Sequence, residues 1–200
     1  MLAFTFGGAA SHFDARRQAL LDEANAIGTG YLRADMLPEP HRTEIRNLLR
    51  EYVDVRLEGV RSEKIEQKIA RSEELHGRLW LQAAASREKT PSPAFAVQFI
   101  QSLNEIIALH TRRVITGLEF RIPNIIWIVL YGITALTAAS IGYHSGLTGR
   151  SRPPVVPAFI LAFSAVILLI ADLDRPLYGI LEVSQRALAD LQRTMNARMR

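Results

Sequence analysis

The residues with the clearest chemical potential are Asp172, Asp174 and Arg175, which directly follow a long apolar run. Carboxylates at membrane depth are costly to desolvate and often mark routes for ions or protons. The position at the end of the run also fits a simple membrane boundary, where both aspartates face headgroup water and Arg175 pairs with one of them. Position favours the boundary interpretation, and the functional one stays open.

A second polar set lies early in the chain, in a segment of helical periodicity, and comprises Glu23, Asn25, Arg33 and Asp35. The first three are candidate site residues. Glu23 could meet a basic group at the cytoplasmic face of a membrane and form a site there. A solvated helix face explains the same pattern more simply, and we favour it. Together with the charged residues after the apolar run, Glu23, Asn25 and Arg33 make up the candidate functional site of the chain.

Two histidines raise the question of a metal site. Glu73 and His76 have the Glu-x-x-His spacing of di-iron bundles, which need two such motifs and two further glutamates. The sequence offers one motif. His110 lies on an apolar helical stripe, so His76 and His110 could face each other as hydrogen-bonded core residues. Because the remaining ligands are missing, we predict no metal site.

Several classes of function have no support in the sequence. The chain lacks cysteine, which excludes disulfides, thiolate metal sites and cysteine nucleophiles. It also lacks a glycine-rich phosphate loop, a nucleophile elbow and an HExxH motif. We therefore expect no enzymatic activity, no catalytic residue and no cofactor. The net charge of +4 is dispersed, so nucleic-acid binding is not expected either.

The elements that position these residues are helices. Apolar residues at helical spacing predict four amphipathic helices over about 12–36, 40–60, 62–85 and 94–120, which should pack as a bundle within residues 11–121. Pro38 and Pro40 separate the first two. Gly28 and Gly30 in the first helix predict either a close contact with another helix or a helix break, and the sequence does not choose between them.

Two apolar runs predict a transmembrane hairpin over residues 122–172, with spans at about 123–144 and 155–172. A spanning helix needs about 20 apolar residues, and a chain of 200 residues has no soluble core large enough to cover both runs. Residues 1–10 are also apolar but are too short to span. They are expected to be the remnant of a membrane helix.

The C-terminal segment, residues 173–200, predicts an amphipathic helix that packs on the helical domain or pairs with another copy. Its polar face mixes positive and negative charge, which argues against a helix lying on a membrane surface. Basic residues favour the cytoplasmic side of a membrane. The hairpin turn carries Arg150 and Arg152, whereas the flanks on the domain side carry Arg112, Arg113, Arg121, Arg175 and Arg186. The helical domain and the C-terminus are therefore expected in the cytoplasm.

Three segments resemble the bestrophin-like family of uncharacterised bacterial membrane proteins, which carry a domain of unknown function. They are FDARRQALLDEANAIGTGYLRADMLPEP (13–40), LLREYVDVRLEG (48–59) and LIADLDRPLYGILEVSQRALADL (169–191). The resemblance covers about residues 3–197. Family members typically have a further hydrophobic hairpin ahead of FTFGGAASHFDARR, so the resemblance implies that this chain begins inside that hairpin and that the complete form has four spans. The family name implies kinship with chloride channels, and the family supplies no catalytic residue.

These observations predict an all-α membrane protein with a two-helix transmembrane hairpin, a helical-bundle domain outside the bilayer and a C-terminal amphipathic helix. We expect a multi-pass protein of the bacterial inner membrane that works as a homo-oligomer or with another membrane protein. The alternative is a bestrophin-like ion channel or transporter. Its pore would need polar lining residues, for which the first span offers Thr134, Thr137 and Ser140. No feature of the sequence identifies an ion ligand.

Overall fold

A computed structural model of the chain describes residues 2–59, 64–87, 93–118, 122–148, 155–174, 181 and 183–198. Within these ranges the chain is helical and contains no strand, as the all-α prediction requires. The helices are α1 (Leu2–Arg33), α2 (His41–Gly59), α3 (Ile65–Ser86), α4 (Pro93–Leu118), α5 (Asn124–Thr148), α6 (Val155–Asp174) and α7 (Arg186–Ala197), with a short 3-10 helix at Ala34–Met36.

The chain forms two compact units. One comprises Met1–Ala15 and Leu118–Glu182, and the other comprises Arg16–Gly117 and Val183–Arg200. We call the first the apolar unit, because it contains α5 and α6, and the second the bundle unit. Helix α1 contributes residues to both. The sequence predicted a helix start near residue 12, whereas α1 begins at Leu2 and includes most of the apolar N-terminal segment.

The bundle unit is built on the apolar stripes that the sequence predicts. Pro38 and Pro40 precede α2 and accept its first backbone hydrogen bonds, Arg42 N to Pro38 O at 3.0 Å and Glu44 N to Pro40 O at 3.2 Å. The apolar spacing in this segment predicts one buried face of α2, and all of its residues are buried: Ile45, Leu48, Leu49, Tyr52 and Val55. The core contains Ile45, Leu48, Leu49, Tyr52 and Val55 of α2, Leu75, Leu79 and Ala83 of α3, Phe99, Leu103 and Ile106 of α4, and Leu188 and Met195 of α7.

Gly28 and Gly30 of α1 are sites of close helix contact. The helix runs through both without a break. A Cβ atom at Gly28 would lie 3.3 Å from Cδ1 of Leu191, and one at Gly30 would lie 3.0 Å from Cδ1 of Ile106. Helices α7 and α4 therefore approach α1 more closely than a larger residue would comfortably allow. Of the two interpretations of these glycines, close contact is confirmed.

Helix α7 packs on the bundle unit. Its apolar side buries Leu188 and Met195 in the core. Tyr31 donates a hydrogen bond from Oη to the carbonyl of Met195 at 3.3 Å, and Gln192 donates from Nε2 to Asp54 at 2.6 Å. Of the two placements predicted for the C-terminal helix, the structure shows packing on the helical bundle.

The surface of the apolar unit differs from that of the bundle unit in being largely apolar. Large apolar side chains of its helices are exposed, including Ile128, Leu136 and Leu147 of α5 and Leu161 and Leu168 of α6. Among the described residues, one helix, Asn124–His144, is long and apolar enough to cross a membrane by length and composition, and 6% of its most apolar window is buried. The second predicted span forms helix α6, but the two-span hairpin stays a prediction. The turn at 149–154 lies outside the described residues.

Candidate functional site

The main concentration of buried polar side chains described here lies inside the bundle unit. We call it the Glu23 cluster. Its acceptor, Glu23, has an exposed fraction of 0%. Its members are Glu23 of α1, Tyr52 and Arg56 of α2, His76 of α3, and His110 and Arg113 of α4.

Helical spacing brings these side chains to the core. Glu23 lies three residues after Leu20 and four before Ile27, both of which are buried, so all three share one face of α1. Arg56 follows Tyr52 by one turn of α2 in the same way. The polar groups thus occupy positions on the apolar stripes, where the packing of neighbouring helices removes them from water.

Glu23 accepts hydrogen bonds from three side chains. Tyr52 donates from Oη to Oε1 at 2.7 Å. Arg56 donates from Nη2 to Oε2 at 3.3 Å, and its Nε lies 3.0 Å from Oε1. Arg113 donates from Nη1 to Oε2. A buried carboxylate is tolerated only when it is paired and hydrogen-bonded, and both oxygens of Glu23 meet that condition.

The surroundings keep Glu23 ionised. Burial alone would raise the pKa of Glu23, but the charges of Arg56 and Arg113 and the hydrogen bonds from Tyr52 and Arg113 outweigh burial and lower this pKa to about 2. Burial, together with the nearby Glu23 charge, raises the pKa of the Tyr52 phenol well above its usual value. A carboxyl group with so low a pKa is a poor proton acceptor near neutral pH, and Tyr52 is a poor source of phenolate.

His76 and His110 face each other, as the sequence suggested. Their ring centroids are 4.9 Å apart with planes at 85°. Tyr52 has one proton and donates it to Glu23, so the 3.1 Å contact between its oxygen and Nδ1 of His110 requires a proton on Nδ1. This leaves Nε2 of His110 as an acceptor. Burial, with a contribution from Arg56, lowers the pKa of both histidines to about 4, so both are neutral at pH 7.

The cluster also holds the segment that leads into α7. Arg113 donates from Nη2 to Oε1 of Gln185 at 3.1 Å, and Gln185 donates in turn to the carbonyl of Val183 at 3.1 Å. A single guanidinium thus connects α1, through Glu23, with the chain just before the C-terminal helix. The hydrogen bonds of the cluster therefore link segments that lie far apart in the sequence.

The other candidates on α1 lie outside this network. Glu23 is buried, so a solvated helix face is wrong for it. Asn25 is exposed, which agrees with a solvated helix face at that position. Arg33 is half-buried and donates to Oγ of Ser102 at 2.6 Å and to the carbonyl of Gln98 at 3.2 Å. Within the described residues, neither Asn25 nor Arg33 makes a hydrogen bond to the Glu23 cluster.

The aspartates at the end of α6 bind backbone amides of the apolar unit. Oδ1 of Asp174 accepts a hydrogen bond from the amide of Ile122 at 2.8 Å, and Oδ2 of Asp172 accepts one from the amide of Leu181 at 2.9 Å. Asp174 thus links Ile122, two residues ahead of α5, to the end of α6. Arg175 lies outside the described residues. The sequence-predicted candidates therefore fall in two different units.

Three partners of Glu23 were not predicted from the sequence: Tyr52, Arg56 and Arg113. A signal was present, because each is a polar residue close in helical spacing to buried apolar positions. Arg56, for example, lies three residues after Val53, and Arg113 lies seven residues after Ile106, both of which are buried. The signal identifies residues that need a buried partner, but it does not say which residue the partner is.

The family can be assigned by comparison with known proteins. The sequence model of the bestrophin-like domain matches residues 1–188. The chain belongs to the bestrophin-like family. The match includes every member of the Glu23 cluster, and it confirms the resemblance found in the sequence. Membership of this family indicates a membrane protein related to bestrophin channels. No curated protein and no solved structure matches the chain at a significant level.

Proposed function

We propose that this bestrophin-like protein is a membrane-anchored helical protein that acts by associating with another copy or with another membrane protein. It is not an enzyme. Helices α5 and α6 form a two-span hairpin in the bacterial inner membrane, and the bundle unit lies in the cytoplasm. The observation that carries the proposal is the contrast between an apolar unit with exposed large side chains and a bundle unit with a well-filled core.

The surface of α5 supports the anchor. Leu136, near the middle of the helix, is 70% exposed, and Ile128 and Leu147 are similarly exposed. Burial of apolar surface away from water is worth about 25 cal/mol per Å². A continuous apolar surface of this kind marks a membrane or protein contact. Lipid would cover it along the whole length of the helix.

The hydroxyls of α5 favour an anchor over an anion pore. Thr134, Thr137 and Ser140 each donate to the carbonyl four residues earlier, at 2.8, 2.8 and 2.9 Å. Their protons are thus used within the helix, which suits a segment with no water to satisfy its polar groups. An anion pathway needs donors that point into the pore. The channel or transporter alternative therefore gains no support from these residues.

The Glu23 cluster supports a structural role. The carboxylate is held ionised by two arginines, and both histidines are neutral at pH 7. The cluster fixes α1, α2 and α4 in one arrangement through charged hydrogen bonds. Such a network specifies how helices pack, which is what a protein that presents a surface to a partner requires.

The proposed orientation rests on fewer free charges than the sequence suggests. Arg113 is buried against Glu23, and Arg112 lies 3.6 Å from Asp22. The remaining flanking arginines, Arg121, Arg175 and Arg186, still outnumber Arg150 and Arg152 of the turn.

Membrane extraction tests the anchor. Membranes from cells that express the full chain are washed with alkaline carbonate and then treated with detergent. We expect the protein to stay in the pellet after carbonate and to dissolve in detergent. Light scattering of the purified protein then gives its mass. A protein that dissolves without detergent contradicts the anchor, and a lone monomer in lipid with no co-purifying protein contradicts the association.

Single cysteines test the orientation, because the chain has none of its own. Glu105 is exposed on α4, and Gly146 near the end of α5 has open space around the position of a Cβ. A membrane-impermeant maleimide on intact spheroplasts should label Gly146→Cys and spare Glu105→Cys. The reverse pattern would place the bundle unit outside the cell.

Conductance tests the alternative function. The purified protein is placed in liposomes, and anion flux is measured with and without a membrane potential. We expect no flux above that of empty liposomes. A flux that depends on the protein would favour the channel or transporter.

A further inference from the structure

The outward face of α3 carries an exposed apolar strip. Trp80 is 44% exposed and Leu81 is 70% exposed, and Gly77 and Ala84 are exposed beside them. Spacings of three and four residues place these four on one side of the helix. The opposite side buries Leu75, Leu79 and Ala83 in the core. We call Gly77, Trp80, Leu81 and Ala84 the α3 strip.

Gly77 has no explanation within the bundle unit. A Cβ atom there would meet nothing within 4 Å. Glycine inside a helix costs about 1 kcal/mol relative to alanine, and this position lies in the middle of α3. Small residues such as Gly77 and Ala84 allow a second helix to approach closely. The strip therefore has the composition of a helix contact on a face that no described helix occupies.

The α3 strip has a negative charge at one end and a positive charge at the other. Glu73 lies seven residues before Trp80 and Arg87 lies seven residues after it. Seven residues make about two helical turns, so these three share one row along α3, with the charges about 10 Å on either side of Trp80. Both charged side chains are exposed, and within the described residues neither makes an ion pair.

We infer that the α3 strip is the docking surface for a second copy of this chain. The two α3 helices run antiparallel about a two-fold axis near Trp80. In that arrangement Glu73 of each copy faces Arg87 of the partner copy, and the pair forms twice. A parallel arrangement would place Glu73 against Glu73 and Arg87 against Arg87, which the like charges oppose. The proposal rests on the association proposed above and names its partner.

The strip suits a contact between membrane-anchored molecules. Trp80 provides the large aromatic side chain that commonly dominates binding energy. Exposed ion pairs contribute less than about 1 kcal/mol each, so Glu73 and Arg87 set direction rather than strength. One helix pair covers less surface than the roughly 1,200 Å² of a stable soluble complex. Anchoring in one bilayer compensates by raising the effective concentration of the copies.

Cross-linking tests the arrangement directly. Full-length Glu73→Cys and Arg87→Cys proteins with different tags are mixed in liposomes and treated with a short bismaleimide. We expect a cross-linked dimer that carries both tags and none from Glu73→Cys alone. Val97→Cys is the control, because Val97 is 50% exposed on α4, away from the strip. A dimer from Glu73→Cys alone would overturn the antiparallel arrangement.

Substitution tests the apolar contact. Leu81→Arg should lower the dimer fraction in lipid at least tenfold, whereas Val97→Arg should leave it unchanged. Because Leu81 is largely exposed, the far-ultraviolet circular dichroism of both variants should match the parent. Charge reversal gives a second measurement. Glu73→Arg should reduce the mixed-tag cross-link between copies that carry cysteine at Leu81, and Arg87→Glu in the same chain should restore it.

The failure of this inference is distinguishable from failure of the proposed function. Suppose that the dimer persists in Leu81→Arg and that positions 73 and 87 do not cross-link. This result would contradict the α3 strip as the docking surface, but it would leave the proposed association intact. If a different membrane protein binds the strip and no dimer forms, the strip does not bind a second copy of this chain. A lone monomer in lipid overturns both.

Discussion

The bundle unit buries charged side chains in its interior, whereas the apolar unit exposes large apolar side chains on its surface. In the bundle unit Glu23 is completely buried and is surrounded by Arg56 and Arg113. In the apolar unit Leu136 is 70% exposed, and the polar hydroxyls of α5 are bonded to their own helix. The proposed membrane anchor accounts for both patterns, because water would surround the first unit and lipid the second. The position of a side chain therefore indicates the solvent for which each unit is built.

The comparison also separates two kinds of polar contact. In the bundle unit, ionised groups pair with each other across helices, because a buried charge requires an opposite charge. In the apolar unit, Asp172 and Asp174 bind backbone amides near helix ends. The first kind of contact selects how helices pack, and the second satisfies the backbone amides of Ile122 and Leu181, which lie outside the helices.

Removal of Glu23 should be the most damaging change. Glu23→Ala leaves Arg56 and Arg113 buried with no negative partner, and a broken buried pair typically costs about 3–5 kcal/mol. Chemical unfolding of the detergent-solubilised chain, followed by circular dichroism, measures the loss. Glu44→Ala is the control, because its 3.3 Å pair with Arg78 is exposed and worth less than about 1 kcal/mol. Equal effects at the two positions would contradict a buried network.

An arginine should affect equally exposed leucines differently in the two units. Leu136 and Leu81 are both 70% exposed. Leu136→Arg should oppose membrane insertion by about 2.5–3.5 kcal/mol, because arginine is unfavourable at the centre of a spanning helix. Leu81→Arg should insert like the parent. Resistance to alkaline carbonate, or a glycosylation-based insertion assay, gives the comparison. Normal insertion of Leu136→Arg would mean that lipid does not surround α5.

Two glycines provide a smaller test within the bundle unit. Gly77→Ala should stabilise the bundle by about 0.4–1 kcal/mol, because the space is open and alanine favours helix. Gly30→Ala should lose that gain, since its Cβ would lie 3.0 Å from Cδ1 of the fully buried Ile106. Thermal unfolding should rank Gly77→Ala above Gly30→Ala by about 1–2 kcal/mol. The opposite order would show that α4 moves away from α1 at no cost.

The histidines should add an acid sensitivity to the bundle unit. Their folded-state pKa of about 4 lies below the ordinary value of 6.5, so the unfolded chain binds protons first. Stability should be independent of these groups above pH 6.5 and should fall as the pH is lowered from 6.5 towards 4. Glu23, with a pKa of about 2 against 4.5, adds a further loss below pH 4.5.

The same unfolding measurement across this pH range checks the assignment. In the double variant His76→Gln and His110→Gln, the fall between pH 6.5 and 4 should largely disappear, while the loss at lower pH should remain. An unchanged fall would assign the sensitivity to other groups.

Much of the fold was predictable because local rules decide it. The second helix was expected over about 40–60 and runs from His41 to Gly59, since Pro40 sets its start and the apolar period continues to Val55. The faces of α3 and α4 followed in the same way. Residues 1–10 were expected as a separate helical remnant, whereas α1 runs without a break from Leu2 through the predicted start near residue 12. The small, apolar residues ahead of Ser11 carry no amphipathic period that would show this continuity.

The partners of Glu23 were not predictable from the sequence alone. Tyr52 lies 29 residues away along the chain and Arg113 lies 90 residues away. No periodicity connects such positions, because the choice among several arginines depends on how four helices pack. Glu23 shares its helix face with Leu20 and Ile27, which could have identified it as buried. The carboxylate then needed a basic partner, but only the packed helices determine which one.

The contact between Arg113 and Gln185 lies where the chain leaves the bundle unit and where it re-enters that unit. The chain leaves this unit after Gly117 and returns at Val183, and the 3.1 Å hydrogen bond joins residues close to these two points. A short glycine–serine linker should therefore be able to replace everything between them. Such a permanently shortened chain, started at Arg16, would offer a water-soluble target for nuclear magnetic resonance.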